Sequence, residues 1–153
     1  NERSFKATTQ GKREAMVRFS KQFLGIPYLW GGMSPKGFDC SGLVRTIYQH
    51  QGVGLPRNAS QMARLGREVK TEEMQPGDLM FFGGRSTPKR VGHVGMCIEV
   101  NKKTNQIKFI HASTKRGVVI NTYPDDNYYY TRFLCARRII TEKSLMEEVS
   151  TTP

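Results

Sequence analysis

Apolar residues recur at helical spacing over about 12–24, where Met16, Phe19 and Phe23 form a stripe that Ala15 and Leu24 widen. The pattern predicts a core-facing helix stopped by Gly25 and Pro27. A short extended piece over 25–32 and a Gly-rich loop containing Pro35 then deliver the chain to a second helix, predicted over about 40–51. Its apolar positions Leu43, Val44 and Ile47 share a side with Cys40, so the thiol stands at the end of a buried stripe. The segment 57–63 predicts a short helix capped by Asn58 or Ser60.

After Pro76-Gly77 the pattern turns strand-like. Candidate strands are 79–82, 92–100, 107–111, 118–123 and 128–140, divided by turn signals at Gly83-Gly84, 101–105, 115–117 and Pro124-Asp125-Asp126. Helices first and an antiparallel sheet second define an α+β class. One domain over 12–140 is expected, with a polar, frayed stretch over 1–11 and a polar, peripheral tail over 141–153.

A chain of 153 residues can bury a full core without staples. No stretch approaches 18 uncharged apolar residues, so no transmembrane segment is predicted. The chain starts at Asn1 with no signal segment, which is expected of a mature or trimmed start and leaves export open. Three cysteines in dissimilar settings argue against a disulfide framework and for at least one free thiol. The balance of 24 Lys+Arg against 13 Asp+Glu, a formal charge of +11, suits either a polyanionic partner or a basic solvated surface. These cations are scattered, without helix-turn-helix, aromatic RNA-binding or zinc-ligand patterns, so a nucleic-acid module is disfavoured. Neither metal nor cofactor is expected, and a monomer is.

Candidate chemistry centres on Cys40, in Phe38-Asp39-Cys40-Ser41-Gly42-Leu43-Val44, where a Gly-rich segment becomes a helix. Unpaired N–H groups and the positive end of the helix dipole push such a thiol toward thiolate. Asp39 is explained as the N-cap, and its charge opposes thiolate formation, so activation must come from elsewhere. Cys97 and Cys135 lie inside apolar strands and read as core. Of three histidines, His93 and His111 lie in strand-like runs, while His50 falls at the far end of the Cys40 helix. Period-two alternation puts Val94, Met96, Ile98 and Val100 on one face and His93, Gly95 and Cys97 on the other. The small neighbours of His93 imply a close-packed element there, expected to be the Cys40 helix.

Six motifs in order resemble the NlpC family of bacterial cell-wall peptidases, a branch of the papain-like cysteine peptidases: Pro27-Tyr28-Leu29-Trp30-Gly31-Gly32, Asp39-Cys40-Ser41-Gly42-Leu43-Val44, Leu55-Pro56-Arg57 with Ser60-Gln61, Pro76-Gly77-Asp78-Leu79-Met80-Phe81-Phe82, Gly92-His93-Val94-Gly95-Met96 and Ile110-His111-Ala112. The resemblance implies a papain-like α+β domain with its nucleophile helix packed on a small antiparallel sheet. It makes Cys40 the nucleophile, His93 the general base, His111 the residue that orients it, and Tyr28 a hydroxyl near the thiol. It implies hydrolysis of peptidoglycan stem peptides between the γ-carboxyl of D-glutamate and the diamino acid, in the periplasm, outside the cell or at the envelope. Asp39, Ser41, Arg57 and Ser60 would contact the L-Ala-D-Glu end of the substrate. An acidic end at Asp39 and a basic rim from Arg57, Arg85, Lys89 and Arg90 are expected, with the loop 83–91 bordering the cleft. Alternatives are an amidase or endopeptidase cutting another stem or cross-bridge bond, and a non-catalytic wall- or polyanion-binding domain.

Overall fold

The computed structural model describes residues 2–140, so the expected tail 141–153 lies outside the described residues. Helix α1 runs Glu2–Lys21 and takes in 2–11 of the stretch expected to fray. That stretch contains no proline and several good helix formers, so helix already nucleated by the buried stripe extends through it at little cost. A ribbon of β1 (Met33–Ser34) and β2 (Gly37–Phe38) precedes α2 (Cys40–Gln49). Asp39 caps α2 by accepting the Gly42 N–H at 2.6 Å. The short helix α3 (Ala59–Met62) is capped by Asn58, which decides between the two candidate caps.

Six strands form one antiparallel sheet in the order β3 (Arg67–Val69), β8 (Phe133–Arg138), β4 (Leu79–Gly83), β5 (Val91–Asn101), β6 (Gln106–Ser113) and β7 (Gly117–Tyr123). This is the α+β class expected. Strand β3 has too little apolar pattern to be read from sequence and exists by pairing with β8. Residues 128–132, expected to open the last strand, are instead helical in α4 (Asn127–Arg132). Consecutive tyrosines mimic a strand, but Asp126 accepts the N–H groups of Tyr128 and Tyr129, and the Arg132 guanidinium lies 3.8 Å from the Tyr128 ring centroid.

One face of the sheet, through Leu79, Phe81, Val94, Met96 and Ile110, buries Met16 of α1 and Leu43, Val44 and Ile47 of α2. The other face, through Met80, Phe82, Cys97 and Phe109, is covered by Tyr123, Tyr129 and Phe133. Two expectations for β5 change here. A bulge between Cys97 and Glu99 carries Val100 to the Cys97 face. The Cys40 helix packs on the Val94 face, not the His93 face, and the room beside Gly95 is taken by β6. A Cβ there would stand 3.0 Å from the Phe109 ring and 3.1 Å from the His111 Cβ.

A buried ion cluster joins the layers. The fully buried Asp78 carboxylate receives Arg138 at 3.0 and 2.8 Å and Arg13 at 3.3 Å. Arg13 also donates to the carbonyls of Pro76 and Ile140, Arg138 to that of Glu73, and Tyr48 of α2 to that of Gly77. Among the described residues no helix is long and apolar enough to cross a membrane.

Removing the charge of Asp78 leaves two buried guanidinium groups uncompensated. Asp78→Asn is expected to cost about 3–5 kcal/mol, lowering the thermal midpoint followed by circular dichroism by roughly 6–20 °C. A midpoint within about 2 °C of the parent would contradict the clamp.

Candidate active site

Cys40 is the first residue of α2, and the helix start is seated on backbone. A Cβ on Gly42 would meet the Gly32 carbonyl oxygen at 2.0 Å, so only glycine lets α2 approach the Gly31-Gly32 turn. Asp39 N–H closes the same contact by donating to the Gly32 carbonyl at 3.0 Å. Tyr28 is held beside the thiol by main chain: Phe38 N–H donates to the Pro27 carbonyl at 3.2 Å and Leu29 N–H to the Phe38 carbonyl at 3.1 Å.

The histidines come from neighbouring strands. His93 Nε2 lies 3.0 Å from His111 Nδ1, and His111 Nε2 lies 2.7 Å from Asn121 Oδ1. Asn121 Nδ2 donates to Asp126 Oδ2 at 3.0 Å. His111 is fully buried, and Tyr129 packs across both imidazoles with centroid separations of 6.0 Å to His93 and 4.8 Å to His111.

Cys40, His93, Tyr28, Trp30, Asn121 and Tyr129 line one cleft of about 720 Å³. Its surroundings hold the reacting groups neutral. Burial pushes the Cys40 thiol up; the Val94 amide, next after His93, opposes that, Asp39 adds to it, and the amides of Ser41 and Cys40 oppose it. Burial therefore outweighs the thiolate-favouring helix terminus anticipated from sequence. Burial, then the neighbouring His111, lowers His93 to about 3. Burial lowers His111 to about 4, against the opposing pull of Asn121 and Asp126. The Tyr28 hydroxyl is raised by burial, then by Cys40 and Asp39, which keeps it a donor.

Three of the expected substrate contacts meet one another. Arg57 donates to Asp39 at 3.2 and 2.7 Å and to the Ser41 hydroxyl at 2.7 Å. Asp39 also accepts from Ser41 at 3.3 Å, so the acidic end and its expected basic partner neutralise each other. Ser60 lines the cleft, with its hydroxyl on Asn58 at 2.9 Å. The loop 83–91 borders the cleft through Arg85, as expected, but Arg57, Lys89 and Arg90 of the expected basic rim do not line it. Lys115 and Arg116 do, and no carboxylate among the described residues pairs with Arg85, Lys115 or Arg116. His50 is remote from the cleft, stacked on Phe19 at 3.8 Å.

Asn121, Asp126 and Tyr129 escape sequence reasoning. The available signal was Asp126, a capping residue type ahead of a segment whose Tyr128 and Arg132 are four apart.

The profile of the NlpC/P60 family matches residues 25–138. The chain is 36% identical over 134 residues to the γ-D-glutamyl-L-lysine dipeptidyl-peptidase of Bacillus subtilis, covering 87% of this chain and 43% of that protein. It is 40% identical over 116 residues to the probable endopeptidase NlpC of Escherichia coli, covering 75% of this chain and 70% of that protein. A crystal structure of a NlpC/P60 family protein from Bacillus cereus aligns with a TM-score of 0.75 and 35% identity over 84% of this chain and 40% of that one. The chain thus spans less than half the length of both Bacillus relatives. The likeness bears out the papain-like form of the α+β class. Because the matched region takes in Tyr28, Cys40, His93 and His111, and the E. coli relative is matched over most of its own length, the chain belongs to the NlpC/P60 family.

Proposed function

We propose that this domain is a cysteine endopeptidase of peptidoglycan stem peptides, cutting the amide between the γ-carboxyl of D-glutamate and the following diamino acid. The observation that carries the reading is the meeting of Cys40 with His93 in one cleft that Tyr28 also lines, His93 being hydrogen-bonded to the buried His111 behind it. Relatives named as a γ-D-glutamyl-L-lysine dipeptidyl-peptidase and a probable endopeptidase support it. A module that only binds has no use for a half-buried thiol and imidazole set together over a wholly buried second imidazole.

His93 takes the Cys40 proton as sulfur attacks the γ-carbonyl carbon. The oxyanion forms at the start of α2, where the first-turn amides lack intrahelical partners and the Tyr28 hydroxyl adds a donor. His93 returns the proton to the leaving amine, and water, deprotonated by the same imidazole, releases the acyl group from sulfur. Asp39 and Ser41, held from behind by Arg57, shape the floor under the L-Ala-D-Glu end, and Ser60 offers a hydroxyl on the lip. Arg85, Lys115 and Arg116 supply positive charge for the carboxylates of the stem peptide. Its place of action is the cell envelope, and one chain completes the cleft, so a monomer suffices.

A panel of variants separates the roles. Cys40→Ala is expected to abolish both hydrolysis of L-Ala-γ-D-Glu-diaminopimelate, followed by mass spectrometry, and labelling by a thiol-directed inhibitor. Cys97→Ala and Cys135→Ala retain both. His93→Ala loses roughly 10²–10⁴-fold in turnover, whereas His111→Asn keeps a measurable rate. Labelling at Cys97 or Cys135 in place of Cys40 would sink the assignment.

The pH profile follows from the shifts. The working pair shares one proton: gaining a second silences His93, and losing it leaves no proton for the leaving amine. Burial lowers the first step and raises the second. The acid limb of kcat/KM is therefore expected below about 6.5 and the alkaline limb above about 8.5, the ordinary imidazole and thiol values. An acid limb at or above about 6.5, in protein still folded, would contradict the neutral pair.

A further inference from the structure

We propose that Asn121 and Asp126 are positioning residues that fix where the protons lie on the two hydrogen-bonded imidazoles and so leave Nδ1 of His93 as the basic atom facing the reaction. The argument starts from the group with least freedom. The Asp126 carboxylate only accepts: Oδ1 takes the N–H groups of Tyr128 and Tyr129 at 3.0 and 3.4 Å, and Oδ2 lies 3.0 Å from Asn121 Nδ2. The amide of Asn121 must present its NH₂ to Asp126, which turns Oδ1 toward His111. An amide oxygen also only accepts, so the His111 Nε2 at 2.7 Å carries a hydrogen. Fully buried, His111 is a neutral imidazole with a single proton, and its Nδ1 is a bare acceptor. At 3.0 Å that acceptor takes the Nε2–H of His93, whose remaining nitrogen is unprotonated.

No link in this line has a choice once Asp126 is in place. Protonation balances accordingly: the proton leaves Cys40 Sγ and arrives at His93 Nδ1, while the others stay where they are. The imidazolium so formed still donates through Nε2 to His111, with the Asp126 charge at the far end of the line. Tyr129, whose amide Asp126 holds, covers both rings, so the cap of α4 fixes the direction of the line and the shield over it.

The inference rests on His93 acting as the base, but its first readout needs no substrate. Long-range proton–nitrogen spectra of protein labelled with ¹⁵N-histidine report which ring nitrogen carries hydrogen. In the parent, His93 and His111 are both expected as the Nε2–H form near neutral pH. In Asn121→Ala, His111 is expected to populate both tautomers and His93 to follow. Asp126→Asn keeps an N-cap for α4 but replaces an acceptor-only group with one that also donates, and is expected to shift the same resonances. With L-Ala-γ-D-Glu-diaminopimelate, kcat falls by roughly 10–100-fold in Asn121→Ala while KM is unchanged, and Asp126→Asn loses less. An Nδ1–H form of His111 in the parent overturns the proposal, as do unchanged tautomers and kcat in both variants. The expected spectra in a parent that leaves the peptide uncut sustain the proton arrangement and remove the peptidase reading. Opposite spectra in an active enzyme remove the proton arrangement alone. Should Asn121→Ala fail to fold, the parent spectrum and Asp126→Asn decide.

Discussion

A wholly buried imidazole and the half-buried one hydrogen-bonded to it are held at rest as a pair of neutral rings, one donating to the other. That requirement organises the site. His93 comes from β5, His111 from β6, Asn121 from β7 and Asp126 from the cap of α4, so successive elements each supply one member. Antiparallel register aligns them: His111 pairs with Val119 and Phe109 with Asn121, making His111 and Asn121 diagonal neighbours on one face. Gly95 completes the arrangement, since any side chain there would press on the Phe109 ring and the His111 Cβ. The phenylalanine cluster of Phe82, Phe109 and Phe133 gives these polar groups an apolar wall, which is the source of the lowered imidazole pKa values.

The thiol reaches the same cleft from the opposite layer. Its helix packs on the Val94 face of the sheet, and its start is set by backbone contact between Gly42 and Gly32. The Asp78 cluster then ties α1, the Gly77 turn that Tyr48 of α2 grips, and β8 into one unit. Displacement of any of these elements would separate sulfur from imidazole. The interlock of Asp39, Ser41 and Arg57 performs a similar task at the cleft floor, where a carboxylate next to the nucleophile is held by a guanidinium.

Much of this was legible in the residues themselves. The stripe of Leu43, Val44 and Ile47, the cap at Asp39 and the alternation from 79 onward predict the helix, its start and the central strands, because local pattern and tertiary packing agree there. Cys40, His93, His111 and Tyr28 were singled out by type and motif, and the cleft gathers all but the wholly buried His111, which adjoins it through His93 and Asn121. Other features depend on partners distant in sequence. The bulge after Cys97, the pairing of Arg57 with Asp39 and the seating of β6 beside Gly95 leave no local signature. Residues 128–132 were misread because three consecutive tyrosines carry strand propensity while a single aspartate carries the competing helix signal. Asn121 was lost with them, having been read only as a polar position in a strand.

Covalent attack by Cys40 is the claim on which the functional account turns, and trapping its intermediate tests it most directly. Rapid acid quenching during turnover of L-Ala-γ-D-Glu-diaminopimelate, followed by intact-mass analysis and peptide mapping, should find an L-Ala-γ-D-Glu thioester on the peptide containing Cys40. Product formation with the acyl group on Cys97 or Cys135, or on no cysteine under conditions that trap thioesters, would contradict it.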